Sequence, residues 1–301
     1  MSRFLSLTVC LFICFIPLHS KGYPERNLEI ADPFILLDNG IYYAYGTHSP
    51  NGIEVYTSTN LREWTLQPQL ALHKKNTTED HWFWAPEIIK TDSTYYMYYS
   101  ANEHLYVATA KSPLGPFKQM GKEPMLKNRS IDSSPFIDDD GKAYLFFVYI
   151  EHGNNIYMAE LSDDFLSIKP ETMQQCLSVS QEWEKDPLFP YALVNEGPCV
   201  VKKQGTYYLT YSANDYRSKN YGIGYATSNS IKGPWTKSTS NPVLQHASGM
   251  EGTGHHTLFI DKDNKYRVAY HAHYSATQIH PRRTYFTTMR IKNGKLTMNN
   301  K

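Results

Sequence analysis

The stretch 205-GTYYLTYS-212 has the composition of a β-strand that follows a turn. Glycine suits the turn, and the aromatic and β-branched residues after it favour a pleated, half-buried strand. Four similar stretches occur elsewhere in the chain, namely 40-GIYYAYGT-47, 93-STYYMYYS-100, 141-GKAYLFFV-148 and 264-NKYRVAYH-271. The five copies recur at intervals of about 50 to 60 residues, which is a period typical of repeat architectures.

Each copy belongs to a longer unit. A short apolar run precedes it, and a turn rich in Asp, Asn and Gly joins the two segments, which predicts a β-hairpin. A third strand follows in most copies, for example 104-HLYVATA-110 and 221-YGIGYATS-228. A further turn closes the unit, and two of these closing turns, 111-KSPLGPFKQ-119 and 229-NSIKGPWTK-237, are near duplicates. The unit is therefore predicted to be a sheet of about four strands.

Radial repetition of four-stranded sheets is the arrangement of a β-propeller. Five units predict an all-β, five-bladed β-propeller with a central channel. The fifth blade is expected to be completed by 284-TYFTTMRI-291, and by the N-terminal segment if the ring closes through a shared blade. A β-sandwich is the alternative all-β fold, but it does not require five similar hairpins at similar spacing. No shift in composition indicates a second domain, so residues 21–301 are expected to form one domain.

The composition limits the classes of molecule that the protein is expected to bind. The chain has 301 residues, of which 41% are hydrophobic, and a formal net charge of +1. Such a chain can bury a large core. Its charge balance provides no basic surface for nucleic acid.

The first 20 residues differ from the rest. Arg3 is followed by an apolar run from Phe4 to Leu18 and then by the small residue Ser20, which predicts a signal peptide over residues 1–20. A membrane anchor is the alternative. A membrane span needs about 18–20 apolar residues, which is longer than this run. The mature chain is expected to carry no membrane span, to be secreted to the periplasm or the exterior, and to keep only Cys176 and Cys199. The sequence does not establish whether those two cysteines pair.

Five positions are predicted to converge at one end of the channel, because the first strand of each propeller blade lines it. Counting back twelve residues from the fourth residue of each copy, or eleven in the first copy, identifies Asp32, Trp84, Asp132, Glu196 and His255. Each residue alone is compatible with a turn or a packing role. Three carboxylates at one channel mouth, however, would repel one another unless a ligand, a metal or shifted pKa values relieve them. The set therefore predicts a functional site.

Cleavage of a glycosidic bond is the chemistry that uses such a set. One protonated carboxylic acid acts at the leaving oxygen, and one ionised carboxylate acts as base or nucleophile. A third carboxylate beside the acid raises its pKa by like-charge repulsion. The aromatic face of Trp84 suits the apolar face of a sugar ring.

Five stretches carry a resemblance to a known family: 30-IADPFILLDNGIYYAYGT-47, 82-WFWAPEI-88, 131-IDSSPFIDDDGKAYLF-146, 195-NEGPCVVKKQGTYYLTYSA-213 and 252-GTGHHTLFID-261. In this order they resemble glycoside hydrolase family 43, the five-bladed propeller enzymes that act on polysaccharides containing arabinose and xylose. They extend over essentially the whole chain after the predicted signal peptide. The resemblance implies that residues 21–301 are a catalytic domain.

The resemblance also implies roles for the three carboxylates. Asp32 would be the general base that activates water, Glu196 the general acid, and Asp132 the group that tunes the pKa of Glu196 and orients it. The family inverts the anomeric centre, so base and acid are expected about 6.5–9.5 Å apart, whereas a retaining pair lies about 5–5.5 Å apart.

The remaining site residues follow from the same resemblance. Trp84 and Arg282 would contact the sugar, with Arg283 as the neighbouring alternative for the arginine. His255 would be the family's central histidine, facing the substrate and lying near a calcium ion that is often held through waters. The resemblance implies no organic cofactor.

The function expected from these residues is exo-acting hydrolysis by an α-L-arabinofuranosidase or a β-xylosidase, on arabinan, arabinoxylan or derived oligosaccharides. An endo-1,5-α-L-arabinanase is one alternative, and loops at the channel mouth would decide between the two. A non-catalytic carbohydrate-binding propeller would lack one of the three carboxylates, and a scaffold for protein partners would need none of them. All three carboxylates are present in this chain.

Overall fold

The computed structural model describes residues 28–301, which form five antiparallel sheets around a central axis. The inner strand of each sheet contacts the inner strands of its two neighbours, and the fifth contacts the first, so the ring is closed. The prediction of a five-bladed β-propeller is confirmed. The predicted signal peptide, residues 1–20, lies outside the described residues.

The strands follow the chain blade by blade. Blade 1 consists of β1 (Ala31–Asp38), β2 (Ile41–Thr47), β4 (Tyr56–Ser58) and β5 (Thr65–Leu66), and beside it β3 (Gly52–Ile53) pairs with β6 (Leu72–His73). Blade 2 consists of β7 (Trp84–Thr91), β8 (Thr94–Ala101), β9 (His104–Ala110) and β10 (Lys118–Gln119). Blade 3 consists of β11 (Ser130–Ile137), β12 (Ala143–Ile150), β13 (Asn154–Glu160) and β14 (Gln174–Leu177).

The last two blades have the same plan. Blade 4 consists of β15 (Asn195–Lys203), β16 (Thr206–Ala213), β17 (Gly222–Ser228) and β18 (Thr236–Lys237), and β19 (Leu244–Gln245) also pairs with β17. Blade 5 consists of β20 (Gly254–Ile260), β21 (Tyr266–Ala272), β22 (Arg283–Lys292) and β23 (Lys295–Met298). Four single-turn 3₁₀ helices occur in the connections, at Lys74–Asn76, Pro170–Thr172, Glu182–Glu184 and Ala247–Gly249.

The closure of the ring differs from the shared blade considered from the sequence. β22 covers the predicted strand 284–291, and β23 supplies the fourth strand of blade 5. Within residues 28–301, the N-terminal residues therefore do not add a strand to this sheet. They are hydrogen-bonded to β22 instead, because the amide of Thr284 donates to the carbonyl of Leu28 (3.0 Å) and its hydroxyl donates to the carbonyl of Ile30 (2.8 Å).

The core lies between neighbouring blades. Phe146 of blade 3, for example, packs in one cluster with Leu209 and Tyr211 of blade 4, and all three side chains are fully buried. Aromatic strand residues thus join one sheet to the next, which explains their abundance in the repeated stretches. In the part of the chain that is described, Cys176 and Cys199 are free thiols, and no helix is long and apolar enough to cross a membrane.

A β-bulge interrupts each inner strand near its start. The register shifts by one residue at this point in all five blades, which leaves one residue with a positive φ angle. These bulge residues are Asp32 (50°), Ala85 (42°), Asp132 (57°), Gly197 (54°) and His255 (38°). They are the structurally equivalent positions of the five blades.

Two residues aligned by the sequence count are therefore offset by one position. Trp84 and Glu196 precede the bulge, and Ala85 and Gly197 occupy the equivalent places. The offset arises because the hairpins of blades 3 and 5 have a longer turn, closed at Asp138–Lys142 and Asp261–Lys265, than the other hairpins. The equal count of twelve residues reached different positions for this reason.

The bulge amides link each blade to the preceding one. In four blades the amide donates to the side chain of the last residue in the preceding blade's repeated stretch. These hydrogen bonds run from Ala85 to Thr47 Oγ1 (3.0 Å), from Asp132 to Ser100 Oγ (3.0 Å), from His255 to Ser212 Oγ (2.8 Å) and from Asp32 to His271 Nδ1 (3.1 Å). The fifth amide, that of Gly197, donates to the carboxylate of Asp132 (3.2 Å). A ring of inter-blade hydrogen bonds thus surrounds the channel.

Candidate active site

One pocket contains all six residues that the sequence predicted for the site. It has a volume of about 560 Å³, within the range of small-ligand sites. The predicted residues on its wall are Asp32, Trp84, Asp132, Glu196, His255 and Arg282. The other lining residues are Glu29, Ala31, Thr47, His48, Ile131, Asn154, Val194, Asp215, Tyr216, His280 and Pro281.

Asp32 is buried beside three nitrogen-bearing side chains. Nη1 of Arg282 donates to Oδ1 of Asp32 (3.0 Å), and Nδ1 of His271 and of His255 lie 3.2 Å and 3.4 Å from the same oxygen. Burial alone would raise the pKa of Asp32, but Arg282 and the two histidines hold it well below its usual value. Asp32 is therefore a carboxylate near neutral pH, as a general base must be.

Glu196 is in the opposite electrostatic situation. Burial, followed by the negative charge of Asp32, raises the pKa of Glu196 to about 7. The hydroxyl of Tyr221 donates to Oε1 (2.7 Å) and the amide of Asn154 donates to Oε2 (3.1 Å), and both bonds oppose this rise. A carboxyl group with such a pKa retains a proton to donate near neutral pH.

Asp132 is the third carboxyl group of the pocket, and it is buried. Burial, and then the charges of Glu196 and Asp32, raise the pKa of Asp132 well above its usual value. Asp132 and Glu196 therefore titrate as an interacting pair, because ionisation of one disfavours ionisation of the other. The neighbouring charge that most raises the pKa of Glu196 is that of Asp32, so tuning of Glu196 by Asp132 stays a prediction.

His255 lies among the carboxyl groups, with Nδ1 3.4 Å from Oδ1 of Asp32 and 3.8 Å from Oδ2 of Asp132. Burial lowers the pKa of His255, the charge of Asp32 opposes this shift, and the charge of Arg282 adds to it. One ligand atom each from Asp132, Glu196 and His255 lie within 4.8 Å of one another, close enough to approach one ion. Calcium takes about six to eight oxygen ligands, so two carboxylates and one imidazole fit direct calcium ligation poorly. A second cavity beside His255, of about 10 Å³, has space for one water rather than a hydrated ion.

Arg282, and not Arg283, faces the pocket. The guanidinium of Arg282 lies over the ring of Tyr216 at 4.6 Å. Its Nε is buried and has no hydrogen-bond partner among residues 28–301. Arg283 pairs instead with Glu29 (2.8 Å) and lies over Tyr274 (4.1 Å).

Trp84 forms an aromatic wall of the pocket. Its ring stacks on Trp82 with centroids 5.6 Å apart and an interplanar angle of 15°. Trp82 is 51% exposed, so the stack extends from the pocket wall to the surface. Such a wall suits the apolar face of a sugar ring.

The sequence did not identify the partners of Glu196. Tyr221 precedes β17 and Asn154 begins β13, and neither position carries a motif by itself. One signal was available in the stretch 252-GTGHHTLFID-261. A Cβ at Gly254 would lie 2.3 Å from Cε1 of Tyr221, so glycine is required there for the tyrosine ring to reach Glu196.

Known proteins resemble this chain in sequence and fold. The family described as glycosyl hydrolases family 43 matches residues 24–296 of the chain. A solved structure of an endo-1,4-β-xylanase from Bacteroides thetaiotaomicron is 43% identical, with a TM-score of 0.86 over 91% of this chain and 95% of that one. A thermostable family-43 glycoside hydrolase is 34% identical, with a TM-score of 0.84 over 92% and 95% of the two chains.

Other relatives are named for diverse activities. A β-D-galactofuranosidase from Aspergillus niger is 28% identical over 84% of this chain and 76% of its own length. Others are named as an exo-α-(1→5)-L-arabinofuranosidase, an endo-α-(1→5)-L-arabinanase and a β-xylosidase. The chain spans about half the length of the arabinofuranosidase (52%) and of a xylosidase/arabinosidase from Humicola insolens (51%). The match over residues 24–296 places this chain in glycosyl hydrolase family 43, as a glycosidase.

Proposed function

We propose that the protein is an inverting, exo-acting glycosidase that releases terminal arabinofuranose or xylopyranose from arabinan, arabinoxylan or derived oligosaccharides. The observation that carries the proposal is the divergence of two pKa values in one pocket, low for Asp32 and high for Glu196. Carboxyl groups whose environments drive their pKa values apart are suited to the roles of base and acid.

The proposed reaction uses the two groups in one step. Ionised Asp32 accepts a proton from a water molecule as the water oxygen forms a bond to the anomeric carbon. Glu196 donates its proton to the glycosidic oxygen as the bond between that oxygen and the anomeric carbon breaks. The charge of Arg282 keeps Asp32 ionised. Attack on the face opposite the leaving group inverts the anomeric centre.

Endo action is a second candidate, favoured by one comparison. The relative that is 43% identical is named an endo-1,4-β-xylanase, and another relative is named an endo-arabinanase. An endo-acting enzyme cleaves inside xylan or arabinan and releases oligosaccharides. A non-catalytic propeller is disfavoured, because all three carboxyl groups share the pocket with shifted pKa values.

Secretion is part of the proposal. It is supported by the signal-like segment from Arg3 to Ser20 and by relatives named as extracellular enzymes.

The first prediction concerns Glu196→Gln. We expect the wild type to hydrolyse an aryl α-L-arabinofuranoside or an aryl β-xylopyranoside, and kcat/KM to fall by about 10²–10⁴ in the variant, because the leaving oxygen loses its proton donor. The loss should be larger on an unactivated disaccharide, whose leaving group depends more on protonation.

Glu103→Gln is the matched control, since Glu103 pairs with Arg129 outside the pocket and the change should not affect hydrolysis. Equal activity of Glu196→Gln and wild type would remove Glu196 as the essential acid. If the wild type releases no aryl group, linear arabinan and xylan distinguish an endo-acting enzyme from a binding protein.

The second prediction concerns pH. The alkaline limb of kcat/KM should lie near pH 7, because Glu196 must be protonated and its pKa is raised to about 7. Tyr221→Phe removes a hydrogen bond that lowers this pKa, so the limb should move to higher pH by about one unit. Tyr225→Phe, in the same segment but outside the pocket, should leave the limb in place. An unmoved or acid-shifted limb in Tyr221→Phe would contradict the assignment.

The third prediction concerns calcium, which we propose to bind through water on the pocket side of His255, since the small cavity beside that residue has no space for a hydrated ion. No catalytic step is assigned to it. The unfolding temperature, compared in excess EDTA and in calcium about 100-fold above Kd, should rise by about 5 °C with calcium, since a ligand bound only to the folded state stabilises it. Magnesium serves as the control ion. Equal unfolding temperatures in EDTA and in calcium would contradict the proposal that the folded protein binds calcium.

A further inference from the structure

The ring of inter-blade hydrogen bonds has one irregular member. In four blades the acceptor belongs to the second strand, and it pairs with the residue that precedes the bulge of its own blade. These pairs are Thr47 with Ala31, Ser100 with Trp84, Ser212 with Glu196, and His271 with Gly254. In blade 3 the equivalent residue is Val148, which pairs with Ile131.

Val148 differs from its four equivalents in chemistry. Thr47, Ser100, Ser212 and His271 each present an oxygen or nitrogen that accepts the next blade's bulge amide. Valine has no such atom, although Val148 is fully buried and its strand β12 contacts β15, which carries Gly197. The Gly197 amide is buried as well, and a buried amide without an acceptor is costly.

Asp132 takes the place of the missing acceptor. Its Oδ2 accepts the Gly197 amide at 3.2 Å, so the bulge side chain of blade 3 replaces the second-strand side chain. Gly197 directly follows Glu196. The same hydrogen bond that satisfies the amide therefore places the Asp132 carboxyl group next to the proposed acid.

We propose that Val148 is a positioning residue, which reserves the Gly197 amide for Asp132 because it offers no competing acceptor. The catalytic consequence rests on the proposed function, since it requires Asp132 and Glu196 to act together. The hydrogen-bond preference itself does not depend on catalysis. A purely structural role would make Val148 an apolar packing residue, for which only the size and shape of the side chain matter.

A double-mutant cycle separates the two roles without an activity measurement. Val148→Thr replaces one methyl by a hydroxyl, and Thr47 shows that threonine at this position accepts the next blade's amide. In an Asp132→Ala background the Gly197 amide lacks its acceptor, so Val148→Thr should raise the unfolding temperature by about 2–6 °C. In the wild-type background, where Asp132 already accepts the amide, the same change should give no rise. Equal shifts in both backgrounds would overturn the inference.

Catalysis and a spectroscopic signal supply the second test. With Asp132 present, we expect Val148→Thr to shift the Gly197 amide resonance of ¹⁵N-glycine-labelled protein, and to lower kcat by about tenfold with KM changed less than twofold. Val148→Ala removes packing without adding an acceptor. It should lower the unfolding temperature and leave kcat and the Gly197 resonance close to wild type.

The outcomes also distinguish this inference from the proposed function. Loss of kcat to the same extent in Val148→Ala and Val148→Thr, or an unmoved Gly197 resonance in Val148→Thr, would show that Val148 acts only through packing. If the wild type hydrolyses no substrate, the proposed function fails. The stability cycle would then still decide whether Val148 reserves the Gly197 amide.

Discussion

The bulge at the start of each inner strand is the constraint on which the site depends. A residue other than glycine pays about 1–3 kcal/mol for a positive φ angle, and four of the five bulge residues are not glycine. The bulge amides offset this cost by donating to side chains of the preceding blade. The same conformation places Asp32, Asp132 and His255 where the pocket requires them, so blade cohesion and the position of the functional groups have one origin.

The electrostatics of the pocket follow from this placement. Three carboxyl groups lie together, of which Asp32 and Asp132 are buried and Glu196 is half-buried, and each has different neighbours. Arg282 and two histidines favour the charged form of Asp32, whereas the charge of Asp32 disfavours ionisation of Glu196 and Asp132. One buried negative charge thus helps to keep a second carboxyl group protonated, which is the condition for a base and an acid to coexist in one pocket.

The repeated aromatic stretches were sufficient to predict the propeller, because an aromatic strand after a turn at a regular spacing is a local property. Five of the six site residues were also predictable, since equivalent strand ends converge in such a fold, whereas Arg282 was implied only by the family resemblance. The positions of Trp84 and Glu196 relative to the bulge were not, because the turn lengths of blades 3 and 5 alter the count. Tyr221 and Asn154 reach Glu196 from other segments through tertiary packing, which a pattern along one strand does not reveal.

The central claim is that Asp32 activates water while Glu196 protonates the leaving oxygen. Its most direct test is the anomeric configuration of the first-formed product, followed by ¹H NMR before mutarotation. We predict inversion, so a β-xyloside would release α-xylose first, and an α-L-arabinofuranoside would release β-arabinofuranose first. Release of the retained anomer would contradict these roles, because retention requires a carboxylate to attack the sugar directly, with the two carboxyl groups only about 5–5.5 Å apart.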